Sequence, residues 1–315
     1  MAKFGKVLVT GGTGFIGSHV VDKLVAADCE VKVFDNLSTG KLSNIREPVE
    51  SGRASFFEGD LRDAEAVAKS LQDVDAVVHL AAVTSVPFSF ENPSLTFETN
   101  VTGTLNLLNA CVEGDVKKFV FVSSCSVYGE PCYLPVDEEH LVAPASPYAS
   151  SKLEGERHCV SFGERHGLNV TVLRLFNVYG LRQGFSSYSG VITQFVERFR
   201  RELPLAIFGD GCQTRDFVHV SDVVWATFEA LESERANGEV FNVGFGKPTS
   251  LNDLAKTFCS LVSERLQIVY DKPRLGDVKA SFADISKAEK LLGYKPKVAL
   301  DAGLRALLDS SSGEN

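Results

Sequence analysis

From residue 6 to about residue 175 the chain alternates short, nearly unbroken apolar runs with longer segments whose apolar residues recur at helical spacing. Residues 6–10, 30–34, 54–58, 75–81, 117–123 and 170–176 read as strands, several of them close to continuous Val, Leu and Phe. That pattern belongs to strands covered on both faces. Between them, Ile16, Val20 and Leu24 mark an amphipathic helix that begins near Phe15, and further helices are predicted over 93–112 and 148–166. Strand and helix in alternation predict an α/β fold, a doubly wound parallel sheet.

Beyond Phe176 the pattern loosens into Gly, Ser, Arg and Gln before helices are predicted again over 191–201 and 218–232. Residues 239–243 read as a strand that returns to the sheet, and helices over 251–262, 284–292 and 300–308 close the chain. Residues 1–176 with about 218–244 are therefore expected to form a cofactor-binding domain. A smaller, discontinuous substrate domain is expected from about 177–217 and 245–315, with the ligand in the cleft between them.

The first strand runs directly into Gly11-Gly12-Thr13-Gly14-Phe15-Ile16-Gly17. Glycines at 11, 14 and 17 supply a tight turn, a backbone bare enough for a pyrophosphate to approach, and close packing of helix on strand. The helix opening at Phe15 and Ile16 points its positive end at such phosphates. The second strand leads to Asp35, whose carboxylate is placed to accept from the adenosine ribose hydroxyls and to repel a 2′-phosphate. No arginine follows immediately, so NAD is expected rather than NADP. Asp60-Leu61 after the third strand is placed to reach the adenine, and Ala81 and Ala82 after the fourth are small enough for a cofactor to lie against backbone. Ser123 and Ser124 bring hydroxyls to the same sheet edge, whereas His79 reads as a satisfied core residue.

Composition narrows the partners. With 315 residues, 44% of them hydrophobic and 23% charged, the chain is an ordinary globular protein. No apolar run is long enough to span a bilayer, and the N-terminus enters a strand rather than the apolar middle of a signal peptide. A cytoplasmic protein is expected. A formal net charge of −9 disfavours nucleic acid and anionic membranes as partners, so any bound phosphate must be held locally. The seven cysteines are scattered without a Cys-x-x-Cys pair, which argues against a disulfide framework or a zinc site.

Ser146-Pro147 is a helix-opening signal: the serine caps free N–H groups, and the proline sits where its missing N–H costs nothing. Tyr148 and Lys152 then stand at i and i+4, so a phenol and an ammonium share one helix face. The ammonium is expected to favour the phenolate and lower a pKa that is ordinarily near 10. Tyrosine and lysine at this spacing also describe many surface helices. A glycine loop that binds a hydride acceptor is what gives this pair a task.

In this order, the motifs resemble the extended short-chain dehydrogenase/reductases, and among them the NAD-dependent epimerase/dehydratase family with its nucleotide-sugar epimerases. The resemblance covers almost the whole chain. It rests on the glycine loop, Asp35-Asn36-Leu37, His79-Leu80-Ala81-Ala82, Asn100-Val101-Thr102-Gly103-Thr104, Ser123-Ser124-Cys125-Ser126-Val127-Tyr128-Gly129, Tyr148-x-x-x-Lys152, Arg174-Leu175-Phe176-Asn177-Val178-Tyr179-Gly180 and Thr214-Arg215-Asp216-Phe217-Val218-His219-Val220. It implies a Rossmann-type sheet, tightly bound NAD and a UDP-sugar substrate. By that likeness Tyr148 is the base, Lys152 also holds the nicotinamide ribose, and Ser124 bonds the reacting hydroxyl. Asn36 and Asn100 join the cofactor contacts. Asn177 would position the diphosphate, Arg215 and Arg274 would clamp it, Phe208 would pack on the uracil, and Asp277 would reach a ribose hydroxyl. The helices around 100–112 and 148–166 resemble those that pair into a homodimer, with Gly155, Cys159 and Gly163 permitting close approach or packing within the chain.

The same resemblance separates reactions. Relatives that dehydrate sugars carry Asp and Glu where this chain has Cys125 and Ser126, and decarboxylating relatives usually place Glu at the second position. Without those carboxylates, 4-epimerisation through a transient 4-keto sugar is expected. A dehydratase, a decarboxylase and a non-catalytic NAD-binding regulator are the rivals. Ser281 falls where the family gates its sugar pocket, and a small residue there implies room for an acetamido group unless Phe185 or Tyr188 fills it. UDP-GlcNAc/UDP-GalNAc are thus expected, alone or beside UDP-Glc/UDP-Gal. Ser85-Val86-Pro87 points the same way, and Thr84 departs from the Lys typical of galactose-pathway epimerases.

Overall fold

The apolar runs become the strands of one parallel sheet in the computed structural model, which describes residues 3–186, 189–262, 266–273 and 278–311. The strands are β1 (Lys6–Thr10), β2 (Glu30–Asp35), β3 (Ala54–Glu58), β4 (Ala76–His79), β5 (Lys118–Ser124), β6 (Asn169–Leu175) and, returning late, β11 (Val240–Val243). Their order is β11-β6-β5-β4-β1-β2-β3. The chain thus builds outward from β1 in one direction, then restarts at β4 and builds in the other. That reversal opens a crevice at the carboxyl ends of β1 and β4, where Thr10 pairs with His79.

Helices cover both faces because successive strand residues point to opposite sides. Val7 and Val9 enter one core with α1 (Phe15–Ala26) and α9 (Val220–Glu232), while Leu8 between them enters a second. The second core is closed by α3 (Ala64–Ser70), α6 (Gly103–Glu113) and α7 (Pro147–His166). The short α2 (Arg46–Glu50) follows β2, and α4 (Val86–Glu91) and α5 (Pro93–Phe97) precede α6. A third core gathers residues from Tyr179 to Phe217 and from Leu251 to Leu308, around α8 (Val191–Arg200), α10 (Leu251–Leu261) and α12 (Leu300–Ser311). The remaining helix, α11 (Ser286–Leu292), packs its Ala288 and Leu292 into the first core.

The structure differs from the periodicity in two places. The helix predicted over 93–112 is divided: residues Glu98–Thr102 form a π-turn between α5 and α6. Its buried Asn100 donates to the Val83 carbonyl at 2.9 Å and accepts from the Val83 N–H at 2.7 Å, contacts that justify the extra residue in the turn. The second place is a set of short strands: β7 (Asn177–Tyr179) with β10 (Phe217–His219), β8 (Leu205–Phe208) with β13 (Ile268–Asp271), and β9 (Thr214–Arg215) with β12 (Thr249–Ser250). Residues 218 and 219, predicted as helix, belong to β10.

At the amino end of β5, remote from the crevice, Lys118 is almost fully buried. Its ammonium donates to Thr171 Oγ1 at 2.7 Å and Asn237 Oδ1 at 2.5 Å, and among the described residues it forms no ion pair. Burial lowers its pKa to about 7, with Lys3 adding to the effect. The folded value lies below the ordinary 10.5, so the unfolded chain binds the extra proton and stability rises as pH climbs from about 7 toward 10.5. The stability difference between Lys118→Met and the parent is therefore expected to move in the parent's favour as pH rises through that window. Urea unfolding of both proteins at pH 7, 8.5 and 10 measures it, and a difference that does not vary with pH would contradict this account.

Candidate active site

A cavity of about 490 Å³ runs along the crevice. Its walls include Gly11, Gly14, Phe15, Ile16, Gly17, Asp35, Asn36, Asp60, Leu61, Ala81, Ala82, Ser123, Ser124, Tyr148 and Lys152, so most of the residues singled out in the sequence converge on one space. Gly11 has a positive φ of 70°, and a Cβ there would stand 2.8 Å from the Ala81 nitrogen; a Cβ at Gly17 would meet the Gly11 carbonyl oxygen at 2.1 Å. Helix α1 begins at Gly14 with no side-chain cap and no acid in its first turn, so its N–H groups and positive end face the cavity. Bare backbone beside an uncapped helix end is the donor set that a dinucleotide's pyrophosphate requires. NAD fits these residues.

At the adenosine end, Asp35 is buried and its carboxylate accepts from the Thr13 and Leu37 N–H groups at 3.1 and 2.9 Å, which fixes its direction. Asp60 is gripped by Arg62 through two side-chain bonds of 2.9 and 2.8 Å and by Asn36 at 3.1 Å. Arg62 holds that carboxyl well below the usual carboxylate range. Arg62 also lines the cavity and escaped the sequence reading; it is two residues from the acid it neutralises, a spacing with no distinguishing pattern.

At the other end stand Ser124, Tyr148 and Lys152. Helix α7 opens as its sequence dictates: Ser146 Oγ accepts from Ala149 N–H at 3.1 Å, Pro147 is the first residue, and Ser89 of α4 accepts from the Tyr148 N–H at 3.1 Å. The Ser124 hydroxyl is near enough to the Tyr148 phenol to pull its pKa down. The ammonium of Lys152 lies 4.6 Å from the centroid of the Phe121 ring. The expected lowering of the phenol is corrected here. Burial pushes Tyr148 up to about 12, against the smaller downward pull of Ser124, and pulls Lys152 down to about 8. A lysine that is itself reluctant to carry charge cannot by itself make its neighbour a phenolate. Burial likewise raises the Cys125 thiol to about 12, so it is no nucleophile at neutral pH.

Behind these groups lies a layer that the sequence reading did not find. Glu156, one turn beyond Lys152, accepts from Ser123 Oγ and pairs with Arg174 of β6, whose Nη2 donates at 2.7 Å. Arg174 donates onward to the Tyr128 hydroxyl at 2.9 Å, and that hydroxyl donates to Asn242 Oδ1 at 2.7 Å. Asn100 stands in the same layer and not in the cavity wall: besides Val83, its amide donates to Ser151 Oγ at 2.9 Å. His79 is the satisfied core residue expected, hydrogen-bonded with Thr10 and Thr104 and lowered to about 3 by burial.

On the open side of Ser124, Asn177 begins β7, and Arg215 of β9 is close enough to Cys125 to act on its thiol. Ser281 donates its N–H to the Thr214 carbonyl at 3.2 Å, which sets it beside Arg215. Phe208 ends β8, with its carbonyl accepting from Gln213 at 2.6 Å. None of these four lines the cofactor cavity. Arg274, Asp277 and Tyr188 lie outside the described residues. Among the described residues no group of His, Cys, Asp and Glu is placed to hold a metal ion, and no helix is long and apolar enough to cross a membrane.

Comparison with known proteins agrees with this geometry. The model of the NAD dependent epimerase/dehydratase family matches residues 7–244. The chain is similar to the UDP-glucose 4-epimerase of Thermotoga maritima, solved with UDP-glucose: 41% identity, a TM-score of 0.92, and 96% of this chain and 97% of that one covered. It is similar to the UDP-N-acetylglucosamine 4-epimerase of Methanobrevibacter ruminantium M1, solved with UDP-N-acetylmuramic acid, at 38% identity, a TM-score of 0.92 and 97% coverage of both. A UDP-glucuronate 4-epimerase of Thermodesulfobacterium geofontis is 34% identical over 315 residues, 98% of this chain and 96% of its own.

The burial argument has a direct check. In NAD-free protein, the ultraviolet difference titration of the parent minus Tyr148→Phe is expected to show no phenolate signal until well above pH 10. A Tyr148 ionisation at or below pH 10 would refute it.

Proposed function

We propose that this chain, which belongs to the NAD-dependent epimerase/dehydratase family, is a UDP-hexose 4-epimerase in which Tyr148 moves the proton at C4 of the sugar. The observation that carries this reading is the meeting of Ser124, Tyr148 and Lys152 at one end of the cofactor cavity, with Cys125 and Ser126 beside them in place of carboxylates. A site so furnished moves one proton alongside one hydride; it lacks the second acid and base that an elimination needs.

NAD, held along the glycine loop, Asp35 and Ala81, supplies the hydride acceptor for C4 and, through its positively charged nicotinamide, a cation that favours the phenolate. Lys152 adds its charge and binds the adjoining ribose. Tyr148 takes the proton of the 4-hydroxyl, directly or through Ser124, as the hydride leaves C4. The flat 4-keto sugar stays tethered by its diphosphate to Arg215 and Asn177, turns over, and regains hydride and proton on its other face. The hydride returns to C4 and the proton to its oxygen, so there is no net redox change.

The small side chain of Ser281, placed beside Arg215 by its bond to the Thr214 carbonyl, supports acceptance of an N-acetylated hexose as well as a plain one. A homodimer through α7 and its neighbours is also proposed, with one revision to the surface. Gly155, Cys159 and Gly163 face inward: a Cβ at Gly155 would meet the Phe121 ring at 2.6 Å, and Cys159 is fully buried. The exposed apolar residues on α4 to α7 include Val86, Phe90, Phe97, Val112 and Val160.

Proton NMR of the products from UDP-Glc and UDP-GlcNAc, run in parallel, tests the function. The 4-epimer of each is expected, with no NADH accumulating in step with turnover. A 4-keto-6-deoxy sugar, a pentose or steady NADH production would overturn the assignment. Tyr148→Phe is expected to lower kcat by about 10²–10⁴, the usual worth of a positioned acid–base group. Ser281→Tyr is expected to depress kcat/KM for UDP-GlcNAc by about tenfold or more relative to UDP-Glc, the scale of a steric clash in a substrate pocket.

A further inference from the structure

One member of the Thr214–Val220 motif has no part in the chemistry above. Asp216 is fully buried, and its carboxylate meets no cation: among the described residues it forms no ion pair. It accepts instead from three main-chain N–H groups, Phe245 at 2.6 Å on Oδ1, and Gly246 at 2.9 Å and Ala283 at 3.1 Å on Oδ2. Its own carbonyl accepts from the Asn177 N–H at 2.9 Å. A single residue thus ties together the start of β7, the junction of β9 and β10, the loop after β11 and the segment that follows Ser281. The packing leaves no slack. A Cβ at Gly244 would stand 2.5 Å from Asp216 Oδ2.

Three of the four tied segments deliver a residue to the sugar-nucleotide side of the site. Asn177 is bonded directly, Arg215 is the preceding residue, and Ser281 is two residues before Ala283. We propose that Asp216 is a positioning residue for nucleotide-sugar binding: its main-chain carbonyl holds Asn177, and its buried carboxylate ties the Arg215 segment to the loop after β11 and to the segment that follows Ser281. The inference rests on the reading of those three residues as substrate contacts. Three N–H donors offset part of the cost of burying the charge; even so, burial raises the carboxyl to about 6. A carboxylate is needed because all three partners are donors. An amide of the same shape would turn an NH₂ toward at least one of them and leave two donors facing each other out of water. That segment would withdraw and loosen the clamp against which Arg215 and Ser281 are set, while the glycine loop and α7 are not attached to it.

Asp216→Asn and Gly244→Ala disturb the clamp from opposite sides. Both are prepared as NAD-loaded holoenzyme and compared with the parent by calorimetric titration of UDP and by steady-state kinetics. For each variant, the Kd for UDP and the KM for the UDP-sugar are expected to rise by about tenfold or more, the order expected when a buried donor is left unpaired. NAD content is expected to match the parent and kcat to stay within about threefold, since neither residue touches the groups that move proton or hydride. Parent-like UDP affinity in either folded variant, or a fall in kcat at unchanged KM, would overturn the proposal. So would failure of both variants to fold with NAD, because Asp216 would then serve folding alone. If the parent itself does not bind UDP, it is the nucleotide-sugar reading that fails.

Discussion

The ion pair between Glu156 and Arg174 is the contact on which the geometry of the reacting groups depends. Both residues are more than nine-tenths buried, and a charge in that position persists only with a partner and a full set of hydrogen bonds. Arg174 supplies the partner from β6, Ser123 a further donor from β5, and the Tyr128 hydroxyl and Asn242 extend the network toward β11. Glu156 stands two helical turns beyond Tyr148 and one beyond Lys152 on α7, so fixing it fixes the rotation of the helix that carries both. Breaking one side of such a pair costs about 3–5 kcal/mol, a large share of the stability of an ordinary domain. The helix is thus held to the sheet by a contact that no reacting atom touches.

The same burial that makes this pair stiff governs the chemistry in front of it. Tyr148 and Lys152 sit in a medium that resists charge, and each is pushed toward its neutral form. The protein therefore does not hold a ready-made phenolate; it holds a phenol beside an ammonium weakened by burial, and an added positive charge shifts the phenol toward its phenolate. Low polarity amplifies whatever charge arrives. The net acidity of the chain belongs to the same logic: what the site offers an anion is bare backbone N–H at the start of α1, not a basic surface.

Much of this is legible in the amino-acid sequence. The six leading strands and α1 are written in apolar runs and in glycines whose spacing has a steric reason, now visible at Gly11 and Gly17. Tyr148 and Lys152 follow from a cap, a proline and an i, i+4 step. Three kinds of feature were not legible. Strands of two to four residues such as β7, β9 and β10 exist only because remote segments meet, and no periodicity announces them. The direction in which the Tyr148 pKa moves depends on burial, which a helical spacing does not report. Asp216 sits within a recognisable motif and Glu156 one turn past another, yet their tasks are defined by N–H groups and side chains far away in the chain.

The π-turn at residues 98–102 shows how function is recorded in the backbone itself. It amounts to one surplus residue in what would otherwise be a continuous helix, and it is held there by the grip of Asn100 on both polar groups of Val83. Loss of that residue would give a more regular helix and a less well supported cavity wall. At this place regularity and use pull against each other, so a drift toward higher local stability would erase the site one residue at a time.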